Sequence, residues 1–577
     1  MRHVHRCRAY PPDHPRNFIA PGIFFLSRKF SCHAGDSFGI SNTRNKCASY
    51  EQKFQTAGSP PMWLGAKVKR TPFAPCQAGL SVEHEGETHV SVLQGIEPQE
   101  VMGFFEKLSA KHRCSQHEKQ ATDFIAEFAT ARGLVYHRDA LDNIIVKKPG
   151  TAGYENSPTV ILHGHIDMVC KLDDGVEHDF ATQGVKLVVD GDRIRAAGTT
   201  LGADNGLGIS YMLALLDSTD IPHPPLECVM TVMEEMGKVG GDNVDLTTLT
   251  GKRMIDFNWI EEKQLLAGCS GDVSCRIDVD TQWQAAPAGA VALVIDIRGL
   301  RGGHCEFDIH FERGNAIVLL ARLMRAAMKA GPVQVATVMG GVQNNVIPAE
   351  AQATLLVAPA ELGAVTQAVE ALARDIRSEF RIADPDMRIS VARGDAAPAR
   401  VFSDAAARRL VQVISLLPNG ITNQNLEVAG NWETSNNIGF MRTLGDQVEI
   451  TSTITSAVTS RKHLLLDQMF QIAELAGEGV RAKQIGLDAP EFPWNPRSRM
   501  LEIAKESYER VMGRKPDVLV SVCSLELGMF TQRIEGLDTI GIGTNLYDLH
   551  SPKESMDHTS AARVWPLIKD VMRSLKH

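Results

Sequence analysis

Residues 159–170 read TVILHGHIDMVC, and the fold turns on how this stretch is taken. Thr159 to Leu162 form an apolar run, and His163, His165 and Asp167 follow it. A short apolar run bounded by polar residues suits a buried strand, and alternation along an extended strand puts His165 and Asp167 on one side. Two further runs fit the same scheme. Asn143 to Val146 and Leu226 to Met233 read as strands, and Gly206 to Leu216 between the latter and the 160s reads as a helix. Strands alternating with helices predict an α/β fold whose main layer is a mixed, largely parallel sheet flanked by helices.

In such sheets reactive groups collect at the carboxyl ends of the strands. The polar clusters of this chain sit at those places. His165 and Asp167 end one strand, Asp204 opens the helix in LGADNGLG, Glu234 and Glu235 end LECVMTVMEEMG, and His550 in LHSPKE follows an apolar stretch ending at Ile542. Histidine and carboxylate are the ligands of zinc and related divalent ions, and a ligand histidine is usually held by a second carboxylate, a part that Asp167 suits. Taken singly, each cluster has a plainer reading. His-x-Asp is more often a strand-end hydrogen bond, Glu-Glu a solvated turn, and Asp204 a helix N-cap. Their appearance in order, each after an apolar run, favours a common site.

The whole chain sets the limits. With 577 residues, 44% hydrophobic and 22% charged, it is long enough for two to four domains and can bury a sizeable core. A net charge of -9 gives no general reason to expect a nucleic-acid partner. No stretch approaches eighteen uninterrupted apolar residues, so a membrane partner is not expected either. Eleven cysteines without a CxxC pair, an odd number, suit reduced thiols and a cytoplasmic location. Residues 1–94 differ in composition. Residues 1–70 hold twelve Lys and Arg against three Asp and Glu, so the rest of the chain carries -18, and Pro11-Pro12 and Ser59-Pro60-Pro61 interrupt any periodicity. This segment reads as an irregular extension, either an organelle-targeting sequence or the product of a start placed too far upstream. Order is expected from near Glu97, where Val101, Phe104, Phe105 and Leu108 repeat at helical spacing.

The motifs HGHIDMV, TLGADNGLGI, HPPLE with the following EE, GCSG, RGGH, NVIPAEA, ETSNNIG and HSP resemble those of the aminoacyl-histidine dipeptidases, or cytosolic non-specific dipeptidases. These belong to the di-zinc peptidases that include aminoacylases and carnosinases. The resemblance runs from about Ile96 to the C-terminus. It implies that His165 binds one zinc, that Asp204 bridges both, and that Glu235 and His550 complete the second site. It implies further that Asp167 supports His165, and that Glu234 is the general base for metal-activated water. Manganese or cobalt can stand in for zinc in such sites. A lid domain is expected at 272–487, inserted between catalytic segments 95–271 and 488–577. Within it Val291–Ile297 and Ala353–Val357 read as strands and Asn315–Lys329 as an amphipathic helix. His304, Asn345, Arg461 and Glu526 are the residues that the resemblance places near substrate, and a homodimer is left open.

The chain departs from the family's pattern at several points. Counting back from Gly268-Cys269, the terminal carboxylate ligand of the first zinc falls on Asn258, so that site is expected to be the weaker. Val522 stands where the family has histidine, and Cys305-Glu306 where it has serine and glycine. Two readings follow. The first is a metal-dependent dipeptidase acting on unblocked dipeptides, with Xaa-His among the candidate substrates. The second is a catalytically weakened homologue that binds peptide or amino-acid ligands.

Overall fold

The protein is described by a computed structural model covering residues 91–428 and 430–577. The expectation for the N-terminal extension therefore lies outside the described residues up to residue 90. The fold is mixed α/β. Strand Val160–His165 is buried along its length and pairs in parallel with Leu226–Thr231 on one side and Arg253–Trp259 on the other. Strand Asp538–Gly543 continues the layer in parallel with Arg253–Trp259, while on the opposite side Ile144–Lys148 runs antiparallel to Leu226–Thr231 and Val135–Arg138 pairs antiparallel beyond it as the edge. Strands buried on both faces need continuous apolar sequence, which is why TVIL and LECVM carry no alternation. Helix Ala203–Asp217 packs on this layer with nearly every residue buried.

One element joins this layer to the remainder. Strand Gln264–Asp280 pairs at its start with Asp517–Ser524 and Asp538–Gly543, and at its end with Gln447–Ser456 and Val480–Ile485. A single sheet consequently runs through both halves, and its pairings among the strands of residues 272–485 are antiparallel. Two principal apolar clusters flank it. One gathers side chains from Leu93 to Ala267 and from Met500 to Leu575, the other side chains from Val273 to Val480. In the second, helix Ala316–Ala330 lays its apolar face on the sheet. Asn315 caps that helix by accepting from the backbone N–H groups of Ile317 and Val318. Strands Val291–Arg298 and Ala351–Val357 pair beneath it.

Two local readings need correction. The first concerns cysteine. Cys114 and Cys170 form a disulfide with a Cα–Cα separation of 5.6 Å, so the reading of the cysteines as reduced thiols fails at this pair. The remaining described cysteines are free and buried. The second concerns the start of order. Leu93 is fully buried in the first cluster, and the Val92 N–H donates to Glu106 Oε1 at 2.7 Å, so packing begins before residue 95. A protein truncated after residue 94 is expected to be less stable than one truncated after residue 90. Loss of a buried leucine costs about 2–5 kcal/mol. Denaturant midpoints of the two truncated proteins check this, and equal midpoints would contradict it.

Candidate metal centre

The strand that opens the sequence reading ends at His165, which is wholly buried. Its Nε2 lies 3.1 Å from Asp204 Oδ1, and its Nδ1 lies 3.4 Å from Asp167 Oδ1 and 3.2 Å from the Asp167 carbonyl. Asp204 reaches this position because the first turn of its helix is not helical. Asp204 (φ -83°, ψ 105°) and Asn205 leave the α region, and the preceding Gly202 takes φ 71°. A side chain at Gly202 would meet Arg113 and Met168, so that position requires glycine on both counts. The loop is held by a buried carboxylate. Glu554 accepts from the backbone N–H groups of Leu201, Gly202 and Ala203 at 2.8–2.9 Å.

Glu234 and Glu235 lie on a turn, not on an extended strand end. Met233 and Lys238, with φ of 52° and 61°, flank it, and the Glu234 carbonyl accepts from the N–H groups of Gly237 and Lys238. Asp167 is the hub that fixes this turn to the histidine. Besides facing His165, its carboxylate accepts from the Ser115 hydroxyl at 2.7 Å, the Glu234 N–H at 3.0 Å and the Glu235 N–H at 3.2 Å. His550, on a residue with φ 58°, brings Nε2 to 2.7 Å from Glu235 Oε1 and 3.4 Å from Asp204 Oδ2. Non-glycine residues with positive φ are uncommon and cluster at functional sites, and three of them frame this one.

The electrostatics are those of a cation site. Burial opposes a charged imidazole at His165, yet Asp167 and Asp204 raise its pKa well above the usual histidine range. Burial likewise opposes charge on His550, but Asp204 and Glu235 raise it to about 10. Burial disfavours the Asp204 carboxylate too, and the two imidazoles nevertheless hold it well below the ordinary range. At Glu234 burial dominates. Helped by the negative charges of Glu235 and Glu526, it pushes the carboxyl up to about 8 against the pull of His165 and Lys238.

A divalent metal fits these donors. Single ligand atoms of His165, Asp204 and Glu235 lie within 4.8 Å of one another, and Glu235 Oε1 is buried with no aligned hydrogen bond although His550 Nε2 is 2.7 Å away. Imidazole and carboxylate donors suit zinc, manganese or cobalt. Asn258 offers only a neutral amide oxygen, and that oxygen accepts from Asn205 Nδ2 at 3.1 Å. Asp256, two residues earlier, is no substitute ligand. Its Oδ1 lies 2.7 Å from His163 Nδ1 and its Oδ2 accepts from the Asn258 N–H at 3.1 Å.

The four residues placed near substrate separate. His304 lies close enough to His550 and Lys238 for their charges to add to the effect of burial in lowering its pKa. Asn345 is exposed and uses its carbonyl to accept from the Cys305 N–H. Arg461 is exposed and pairs with Glu433 at 3.0 Å. Glu526 does not fit a substrate-binding part. It is buried, with Oε1 accepting from the Gly241 N–H at 2.7 Å and Oε2 from the Thr231 hydroxyl at 2.6 Å, and it faces His163 Nε2 at 3.1 Å. Its carboxylate supports His163 and the turn behind Glu235. Val522 packs with Ile309, Ile347 and Trp432, so the position expected to carry histidine in this family is apolar in surroundings as well as in side chain. Sequence reasoning missed Ser115, Arg113, His163 and Glu554. His163 lay inside HGHIDMV and Glu554 within HSPKE, at the motifs themselves, whereas KHRCSQHE has no periodicity to mark it.

The chain is 29% identical to the cytosol non-specific dipeptidase of Escherichia coli (strain K12) over 492 residues, 84% of this chain and 99% of that one. The crystal structure of aminoacylhistidine dipeptidase from Vibrio alginolyticus superposes with a TM-score of 0.74 at 29% identity, covering 84% of this chain and 98% of the other. A family model described as the peptidase dimerisation domain matches residues 295–384. These likenesses make the chain a peptidase of mixed α/β architecture. Within that class the chain is a relative of the aminoacyl-histidine, or cytosol non-specific, dipeptidases, as its motif order implied.

Proposed function

We propose that the protein hydrolyses the peptide bond of unblocked dipeptides, with Xaa-His among its substrates, in a metal-dependent reaction. The observation that carries this reading is the Asp167 hub, which fixes His165, Glu234 and Glu235 around one point together with Asp204 and His550. His165, Asp204, Glu235 and His550 would hold the metal. When bound, it polarises the scissile carbonyl and acidifies the attacking water. Glu234 takes the proton of that water and returns it to the leaving amine. A carboxyl raised by burial is suited to this exchange, since proton transfer is most efficient for a group with a pKa near the working pH. Asp167 holds the His165 ring in place and orders the Glu234 turn through its backbone.

Residues 95–271 and 488–577 are proposed as the catalytic part and residues 272–487 as the lid. The second apolar cluster, drawn from Val273 to Val480, supports this division. On the lid His304 is proposed to face the site, and Arg461 and Asn345 are candidates for the substrate carboxylate, for which a guanidinium fork has the right shape. The dimerisation-domain match supports a homodimer. A cytoplasmic location is proposed from the name of the Escherichia coli relative. No helix among the described residues is long and apolar enough to cross a membrane.

A binding protein without turnover is the weaker reading, because ligand binding alone needs no general base. Asn258 instead bears on metal content. With its amide oxygen given to Asn205, the purified protein is expected to hold nearer one tight zinc than two, and Asn258→Asp to bind a second. Zinc content by mass spectrometry, with initial rates on a panel of unblocked dipeptides, tests both points. Failure to hydrolyse any dipeptide when fully loaded with metal would overturn the function. Two equally tight metals in the unmodified protein, with no gain in the variant, would overturn the account of Asn258.

A further inference from the structure

We infer that the Cys114–Cys170 disulfide positions Asp167, so that its reduction by a dithiol loosens the metal centre. The inference rests on the reading of Asp167 as the carboxylate that supports His165. Two irregular segments meet here. Residues 113–115 lie against residues 166–168 through one isolated parallel bridge, Cys114 to Met168, with the Met168 N–H donating to the Arg113 carbonyl at 3.0 Å and the Ser115 N–H to the Met168 carbonyl at 3.4 Å. The buried Arg113 guanidinium adds bonds to the carbonyls of Ile166 and Gly202. Next in the chain to Cys114 is Ser115, whose hydroxyl donates to Asp167 Oδ2 at 2.7 Å. Cys170 is three residues beyond Asp167. The disulfide thus closes a small ring of structure containing both the donor and the acceptor of that bond.

Neither segment belongs to a regular helix or to a strand of the main sheet. The bridge between them depends on few hydrogen bonds, and such regions open most readily. The two cysteines are also set apart by access. Both are partly exposed, whereas the other described cysteines are buried. Disulfides in reducing compartments are commonly transient or redox-sensing. The chemistry is an ordinary exchange: a thiolate of the dithiol attacks one sulfur and expels the other cysteine as a thiolate, and the second thiol of the reagent then attacks the mixed disulfide and expels the remaining cysteine sulfur. The protein gains two electrons and two protons as a pair of thiols, and the dithiol becomes a cyclic disulfide.

Ser115 is accordingly a positioning residue, and the disulfide holds it. Loss of a hydrogen-bond partner behind a metal ligand typically costs about 10- to 100-fold in metal affinity or activity. The test uses the full chain. Air-oxidised protein, and protein reduced with dithiothreitol, freed of reductant by anaerobic gel filtration and trapped by alkylation, are compared by disulfide mapping, by zinc competition against a chromophoric chelator, and by kcat and KM. The reduced protein is expected to bind zinc about 10-fold more weakly and to lose kcat with little change in KM, because Asp167 acts through His165 and not on substrate. The double variant C114S with C170S should behave like reduced protein whatever its treatment. Ser115→Ala should show the same losses with the disulfide intact, and Ser115→Thr should recover them. Equal zinc affinity in the oxidised and reduced proteins, or free thiols at both positions after air oxidation, would overturn the inference. If neither form hydrolyses dipeptides, a difference in zinc affinity still supports the clamp while the functional reading fails.

Discussion

Glu234→Gln is expected to lower kcat for dipeptide hydrolysis by about 10²- to 10⁴-fold, the range that general acid–base groups supply. The replacement keeps the size and planarity of the side chain but cannot take a proton from water. It should leave the metal in place, because the donors His165, Asp204, Glu235 and His550 are untouched and the turn is held by the backbone N–H groups of residues 234 and 235, not by the Glu234 side chain. The two consequences are separable. Zinc content and turnover measured on the same preparation should show normal metal and a near-complete loss of rate. Turnover within a few-fold of the unmodified protein would remove Glu234 from the proton-transfer role. Loss of zinc along with turnover would mean that Glu234 is a ligand instead.

Much of the site was legible because each of its groups ends an apolar run. His165 follows a strand with no polar residue from Val160 to Leu162, and Leu226 to Thr231 leads directly to the Glu234 turn. Such runs mark sheet strands, and strand ends mark the edge where sites form. What sequence did not reveal depends on distance in space. The turn at Glu234 is set by positive φ at Met233 and Lys238, which neither residue type signals. Cys114 and Cys170 are 56 positions apart, and only the approach of two loops makes them a pair. The use of Asp256 and Glu526 on His163 required knowing that two strands and the start of helix Leu527–Arg533 place these side chains together. The continuous strand Gln264–Asp280 was hidden for a different reason. GCSG reads as a break between domains, yet small residues there let the chain pass close to residues 489–494, and the strand runs on through both halves.

The central claim is that hydrolysis depends on a metal held by His165, Asp204, Glu235 and His550. These donors are imidazole and carboxylate, two of them on the Asp167 hub, and the carboxylates that raise both histidines make the site negative enough to attract a cation, which would displace the imidazole protons on binding. Metal removal takes away both the polarisation of the carbonyl and the acidification of water, so the remaining groups have no means of supplying the rate. The direct measurement is dipeptide hydrolysis before and after exhaustive chelation, with metal content determined at each stage, followed by addition of zinc, manganese or cobalt. Activity is expected to vanish with the metal and to return with at least one of these ions. Activity that survives in demonstrably metal-free protein would contradict the account.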